Sequence, residues 1–177
     1  TSGNDLSILT GQGDGTFAKS AAVALRGATA PCSIALRDFN EDGGRDIAVL
    51  LTKRVRILLN QGGGAFSTGV EMAIAFKDIG AQLGAGDFNG DGHADVVTGD
   101  AGFLRLFAGD GQGGLLRGPL VTVKNARAVA VADVDGDGGP DVVTTNWALG
   151  WGYSYVGDTL SVVWNRPRPQ HSPVCAV

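Results

Sequence analysis

An all-β fold of repeated four-stranded antiparallel units is what this sequence predicts, on three observations. The 177 residues include 29 Gly but only 6 Pro. That is too much Gly for a helical bundle, and it lacks the period of collagen. Three segments align in register, with one Asp recurring at 38, 87 and 133, spacings of 49 and 46 residues. A period of that length accommodates about four short strands and their turns. No stretch of about 18 consecutive apolar residues occurs, so no membrane-spanning helix is expected.

The aligned segments are 33–49 (SIALRDFNEDGGRDIAV), 82–98 (QLGAGDFNGDGHADVVT) and 128–144 (AVAVADVDGDGGPDVVT). In each, a small-residue apolar strand runs into an Asp-rich loop. A β-branched strand leaves it, over Asp46–Leu51, Asp95–Thr98 and Asp141–Thr145. A third strand is expected at Val55–Leu59, Leu104–Phe107 and Leu160–Trp164. A Gly-rich turn then leads to a fourth at Val70–Ala75 or Leu120–Val123. The apolar runs alternate poorly with polar residues, as strands buried on both faces should.

The N-terminus reads as a broken unit, because Leu6–Thr10 and the turn Gly11–Phe17 match Arg56–Phe66. The last unit ends after its third strand. Thirteen strands are therefore expected, as two, four, four and three. The corresponding divisions are a partial repeat over 1–28, repeats over 29–77, 78–124 and 125–165, and an extended Pro-rich tail over 166–177. The chain opens at Thr1 without Met or a leader-like segment, which suggests a processed product or a fragment.

Each Asp-rich loop offers oxygen at positions 1, 3, 5 and 9, with Gly at position 6. The sets are Asp38, Asn40, Asp42 and Asp46; Asp87, Asn89, Asp91 and Asp95; and Asp133, Asp135, Asp137 and Asp141. Position 7 can add a backbone carbonyl, from Gly44, His93 or Gly139. Gly43, Gly92 and Gly138 permit the sharp bend between them. Six or seven hard oxygens without His or Cys side chains favour Ca²⁺ over zinc, and Mg²⁺ prefers a stiffer shell that keeps its waters. An EF-hand would place Glu at position 12, where Val49, Thr98 and Thr144 stand. About three Ca²⁺ per chain are expected, acting as structural staples.

The charge pattern agrees. The net charge is −4, yet ten of the 18 acidic residues sit at these ligand positions, leaving 8 acids against 14 bases. No basic run suits a nucleic-acid backbone, and no such partner is expected. Cys32 and Cys175 match no zinc or redox spacing, and pairing and free thiols both remain open. The two histidines, His93 in a loop and His171 in the tail, suggest no nucleophile–base pair.

With these residues in view, the units resemble the FG-GAP/VCBS repeats of integrin α-chain propellers and of many secreted bacterial proteins. The likeness rests on Asp-Phe-Asn-Gly-Asp-Gly-x-x-Asp at 87–95 and on Gly-Asp-Gly-Thr-Phe at 13–17, and it runs to about Asn165. It implies β-propeller blades of four antiparallel strands, about three and a quarter per chain. It also implies that the metal loops join the first and second strands on one face, with ligands bound on the other. The chain departs from the family in degenerate phenylalanine-glycine and glycine-alanine-proline signatures and in its low blade count.

In the fourth unit the segment 146–159 is long and carries Trp147, Trp151, Tyr153 and Tyr155. These aromatics suit a stacking platform for a sugar ring or a hydrophobic peptide side chain; the alternative is a cap on an exposed propeller edge or packing at a chain–chain contact. The expected function is a non-catalytic recognition module that binds glycan or protein. It would be secreted or on the cell surface, where calcium fills weak sites. A Ca²⁺-dependent polysaccharide lyase or hydrolase, or a fragment of one, is the alternative, and a purely structural segment is a third. The unfinished end units predict a homo-oligomer or part of a larger propeller, two chains giving about six or seven blades.

Overall fold

The computed structural model describes residues 5–25, 27, 31–74, 82–100, 103–123, 126–146 and 159–165. Among the described residues thirteen strands lie in four antiparallel sheets. The first sheet pairs β1 (Asp5–Gly11) with β2 (Phe17–Ala24). The second runs in order through β3 (Ser33–Arg37), β4 (Asp46–Leu51), β5 (Arg54–Asn60) and β6 (Phe66–Ala73). The third repeats that order with β7 (Gln82–Gly86), β8 (Asp95–Asp100), β9 (Phe103–Gly109) and β10 (Leu115–Thr122). The last holds β11 (Ala126–Ala132), β12 (Asp141–Asn146) and β13 (Thr159–Val163). Each sheet is a meander, and the two complete ones are four-stranded propeller blades.

The blades stack face to face. The first strands stand side by side, with β7 between β3 and β11. There the Ser33 hydroxyl accepts the Leu83 N–H at 3.1 Å. Three apolar clusters fill the junctions. Leu6 and Val23 pack on Val49, Leu51 and Leu58; Leu50, Val55 and Ile57 meet Leu83, Val96 and Phe107; Val97 and Leu104 meet Val142 and Val129. A middle strand therefore contributes to two clusters, and all six residues of β4 are buried. That explains why its sequence reads as an unbroken apolar run rather than an alternation.

At the junction before β11, β7 and β8 present glycines to the neighbouring blade. A Cβ on Gly84 would overlap the Val131 side chain, and one on Gly86 would lie 3.0 Å from Pro140. On Gly99 a Cβ would lie 3.0 Å from Val129.

Two expectations need correction. The fourth strands begin at Phe66 and Leu115, directly after the hairpin, not at Val70 and Leu120. A register shift interrupts each, between Arg56 and Leu58 on β5 and between Arg117 and Leu120 on β10. The expected starts, Val70 and Leu120, fall at these breaks, so the half of each strand before the break was not read as part of it. The third strand of the last unit spans Thr159–Val163 and stops before Trp164.

Candidate metal loops

The three Asp-rich loops join β3 to β4, β7 to β8 and β11 to β12, so all three occupy equivalent ends of their blades. Their backbone turns tightly. Gly43, Gly92 and Gly138 at position 6 have φ of 88, 91 and 92°, which a side chain would strain. Position 4 is left-handed too, occupied by Gly90, Gly136 and, at φ 60°, Glu41.

The side chains hold the turn by accepting its own N–H groups. At position 1, Asp38 accepts from Gly43 at 2.8 Å, Asp87 from Gly92 at 2.9 Å and Asp133 from Gly138 at 3.0 Å. At position 5, Asp42 accepts from Gly44, Asp91 from His93 and Asp137 from Gly139, at 2.7 to 2.8 Å. Asn40 and Asn89 at position 3 donate their amides to Asp42 and Asp91, at 2.9 and 2.8 Å. Asp135 in the third loop accepts from the Asp137 N–H at 3.2 Å. The oxygens at positions 1, 3 and 5 are thereby gathered on one turn before any ion arrives.

Position 9 has a second task that the spacing did not show. Asp46, Asp95 and Asp141 are 0 % exposed, and each carboxylate is clamped by two backbone donors. One is the position-2 N–H, from Phe39, Phe88 or Val134, at 2.8 to 2.9 Å. The other ends or follows the third strand, from Asn60, Gly109 or Asn165, at 2.8 Å. The same carboxylate thus ties the loop to the strand two places away in each blade. Backbone donors leave no mark in a sequence, so no pattern could have disclosed the clamp.

Electrostatics separates four carboxylates of the three loops. Burial pushes the Asp95 carboxyl up against the pull of the Gly109 and Phe88 N–H groups, and the charges of Asp91 and Asp87 push it further. The Asn165 and Val134 N–H groups hold Asp141 down. The Gly44 N–H lowers Asp42, and the His93 N–H lowers Asp91. The His93 imidazole crosses to the neighbouring blade and meets the Glu41 carboxylate, which raises its pKa. Glu41, whose backbone is left-handed at φ 60°, was not among the residues the sequence singled out.

Two observations fit these oxygens to a cation. Asp38 Oδ1 is buried with no hydrogen-bond partner, a costly state that a coordinated ion would relieve. In the third loop one carboxylate oxygen from each of Asp133, Asp135 and Asp141 lies within 4.8 Å of the others. All-oxygen donors of this kind suit a hard ion such as Ca²⁺. Trp147, Trp151, Tyr153 and Tyr155, the expected stacking residues, lie outside the described residues, as do Cys175 and His171. Cys32 is half-buried and its Sγ donates to the Leu50 carbonyl at 3.4 Å.

The FG-GAP-like repeat family matches residues 38–98 and again 87–144, together more than half of the chain. The chain belongs to that family. Both matches begin at the first Asp of a metal loop and end in the strand after the next one, so the FG-GAP-like period is the one seen in the sheets. No curated protein matches the chain. Among solved structures, a Tc holotoxin pore from Photorhabdus luminescens is similar at 18% identity and a TM-score of 0.41, covering 94% of this chain and 9% of that one. No helix among the described residues is long and apolar enough to cross a membrane.

Proposed function

We propose that this chain is a calcium-stabilised propeller module for non-catalytic recognition of a glycan or a protein, working outside the cell or on its surface. What carries the reading is the threefold recurrence of one oxygen-lined turn, pre-arranged by its own hydrogen bonds. In each loop the ion would be held by the side chains at positions 1, 3, 5 and 9 and by the carbonyl of Gly44, His93 or Gly139. Bound there, it would supply positive charge to cancel carboxylate repulsion and no reactive chemistry. Loops built this way suit compartments where free calcium is high.

The ligand surface would lie on the face away from the loops, with Trp147, Trp151, Tyr153 and Tyr155 as its stacking groups. The proposed arrangement separates the staple from the ligand, so the ion would act on binding only by holding the blades in place. Calorimetric titration should show about three Ca²⁺ per chain. A glycan array probed in calcium should give discrete hits that Trp147→Ala and Trp151→Ala abolish with the circular dichroism spectrum unchanged. Loss of the fold in those variants would instead make the aromatics core residues.

A further inference from the structure

The first two Asp-rich loops touch through side chains, and the second and third have none with which to do the same. The His93 Nδ1 meets the Glu41 Oε1 across the boundary between the β3–β6 and β7–β10 blades. Glu41 stands at position 4 of the first loop and His93 at position 7 of the second. The corresponding residues at the next boundary are Gly90 and Gly139, which carry no side chain. The turn itself favours Gly at position 4, because Glu41 takes φ 60° there and a side chain in that region carries a conformational cost.

The β9–β10 hairpin backs the pair. A Cβ on Gly111 would lie 2.6 Å from His93 Nδ1 and 2.8 Å from Glu41 Oε1, so the hairpin backbone lies directly against both side chains. Two residues on, the Gly113 N–H donates to the Phe39 carbonyl, at position 2 of the first loop, at 2.8 Å. The β7–β10 blade therefore holds the first loop at two points.

Both residues of the pair sit within the oxygen sets. The His93 N–H donates to the Asp91 carboxylate at 2.8 Å, and its carbonyl is the position-7 oxygen. Glu41 lies between Asn40 and Asp42, whose side chains bond each other at 2.9 Å. Fixing the His93 backbone fixes the ring that meets Glu41, and fixing Glu41 steadies the two oxygens beside it. Order gained by filling one loop lowers the ordering that the other still requires, and such coupling acts equally in both directions. Charge alone would do the opposite, because two cations repel.

We infer that Glu41 and His93 are positioning residues that couple ion binding in the first two loops, so that filling either favours the other while the third fills on its own. The inference rests on the calcium reading above. A Ca²⁺ titration of the full chain, followed at the amide resonances of Gly43, Gly92 and Gly138, observes each loop separately. Disabling the first-filling of the two coupled loops, by Asp38→Ala or Asp87→Ala, should weaken the ion at the other about fivefold, the low end of the usual coupling range. Gly138 should not respond. In Glu41→Gly chains the same disabling should leave the midpoints at Gly43 and Gly92 unmoved. Glu41→Gln keeps an oxygen to accept from Nδ1–H and should retain the coupling. Circular dichroism in chelator checks each fold, and Asp38→Asn and Asp87→Asn, which keep an acceptor for the turn, replace any alanine variant that unfolds. Midpoints at Gly43 and Gly92 that ignore the loss of the other loop overturn the inference and leave the calcium reading standing. A shift equally large in Glu41→Gly chains overturns it as well. No calcium response at any of the three glycines would overturn the calcium reading itself, and this inference with it.

Discussion

At the residue scale, the carboxylates of one loop divide into two kinds although their side chains are the same. Asp42 is exposed and accepts from a neighbour two residues away, so it serves the turn. Asp46 is buried and joins the loop to β5 through Asn60 as well as to Phe39. Removing it would leave two N–H groups without an acceptor, and bonds to a charged group are worth about 1.5–3 kcal/mol each. Asp46→Ala should therefore lower the unfolding free energy by about 3 kcal/mol or more in urea titrations, with chelator present or absent. Asp42→Ala should cost about 1 kcal/mol or less in chelator, and its larger effect should appear only in calcium. Equal losses for the two variants in chelator would contradict the clamp. The spacing of Asp38, Asn40, Asp42 and Asp46 made the oxygen set legible in the sequence. The clamp stayed hidden because its donors are backbone groups, which Asn60, Gly109 and Asn165 provide equally well.

At the element scale, strands that enter buried junctions were easy to find and outer strands were not. Asp46–Leu51 is bounded by the loop on one side and the Thr52–Lys53 turn on the other, and its six buried residues are the clamped Asp46 and the five-residue apolar run after it. The outer strand β6 has its register broken opposite Arg56 and Leu58, and its first residues are mixed in character. What holds it there is partly charge: Glu71 on β6 reaches both Arg54 and Arg56 on β5. Burial works against the Glu71 carboxylate, but the bonds and charges of Arg56 and Arg54 outweigh it and lower its pKa. A depressed folded-state value stabilises the protein above the ordinary glutamate pKa of about 4.3. That contribution is lost as pH falls through the lower folded value. The stability gap between wild type and Glu71→Gln should thus shrink between neutral pH and about pH 3, from a starting value under about 1 kcal/mol. A gap that widens on acidification would reverse the sign. The β7 glycines give a sharper test, since Gly84→Ala places a methyl against Val131. Overpacking of this kind costs about 1–3 kcal/mol, read as a lower urea midpoint, and Val131→Ala in the same chain should recover part of it.

At the scale of the whole molecule, stability comes from a row of blades, each packed on its neighbours, so it behaves as a sum of blade and junction contributions. One Asp-rich loop in each of the last three sheets sets the carboxylate repulsion that the sum must overcome. The ten loop Asp residues lie in three tight turns, and burial with the charges of Asp91 and Asp87 pushes the Asp95 carboxyl up. An ion at a hundredfold excess over its Kd stabilises the folded state by about 2.7 kcal/mol per site. For a chain of this size that corresponds to roughly 5–10 °C in melting temperature for each site emptied. Chelation should therefore lower the melting temperature well beyond the error of a calorimeter scan, and excess calcium should restore it. Because the loops are separate, the drop should divide among them. Asp133→Ala with Asp135→Ala removes one oxygen cluster at the surface of the last blade and leaves the buried Asp141 clamp in place. That double variant should lose about a third of the calcium-dependent shift while melting in chelator close to the wild type. A melting curve indifferent to chelator would remove calcium from the account of this fold. A double variant that loses the whole shift would show that the three loops fill as one unit rather than separately.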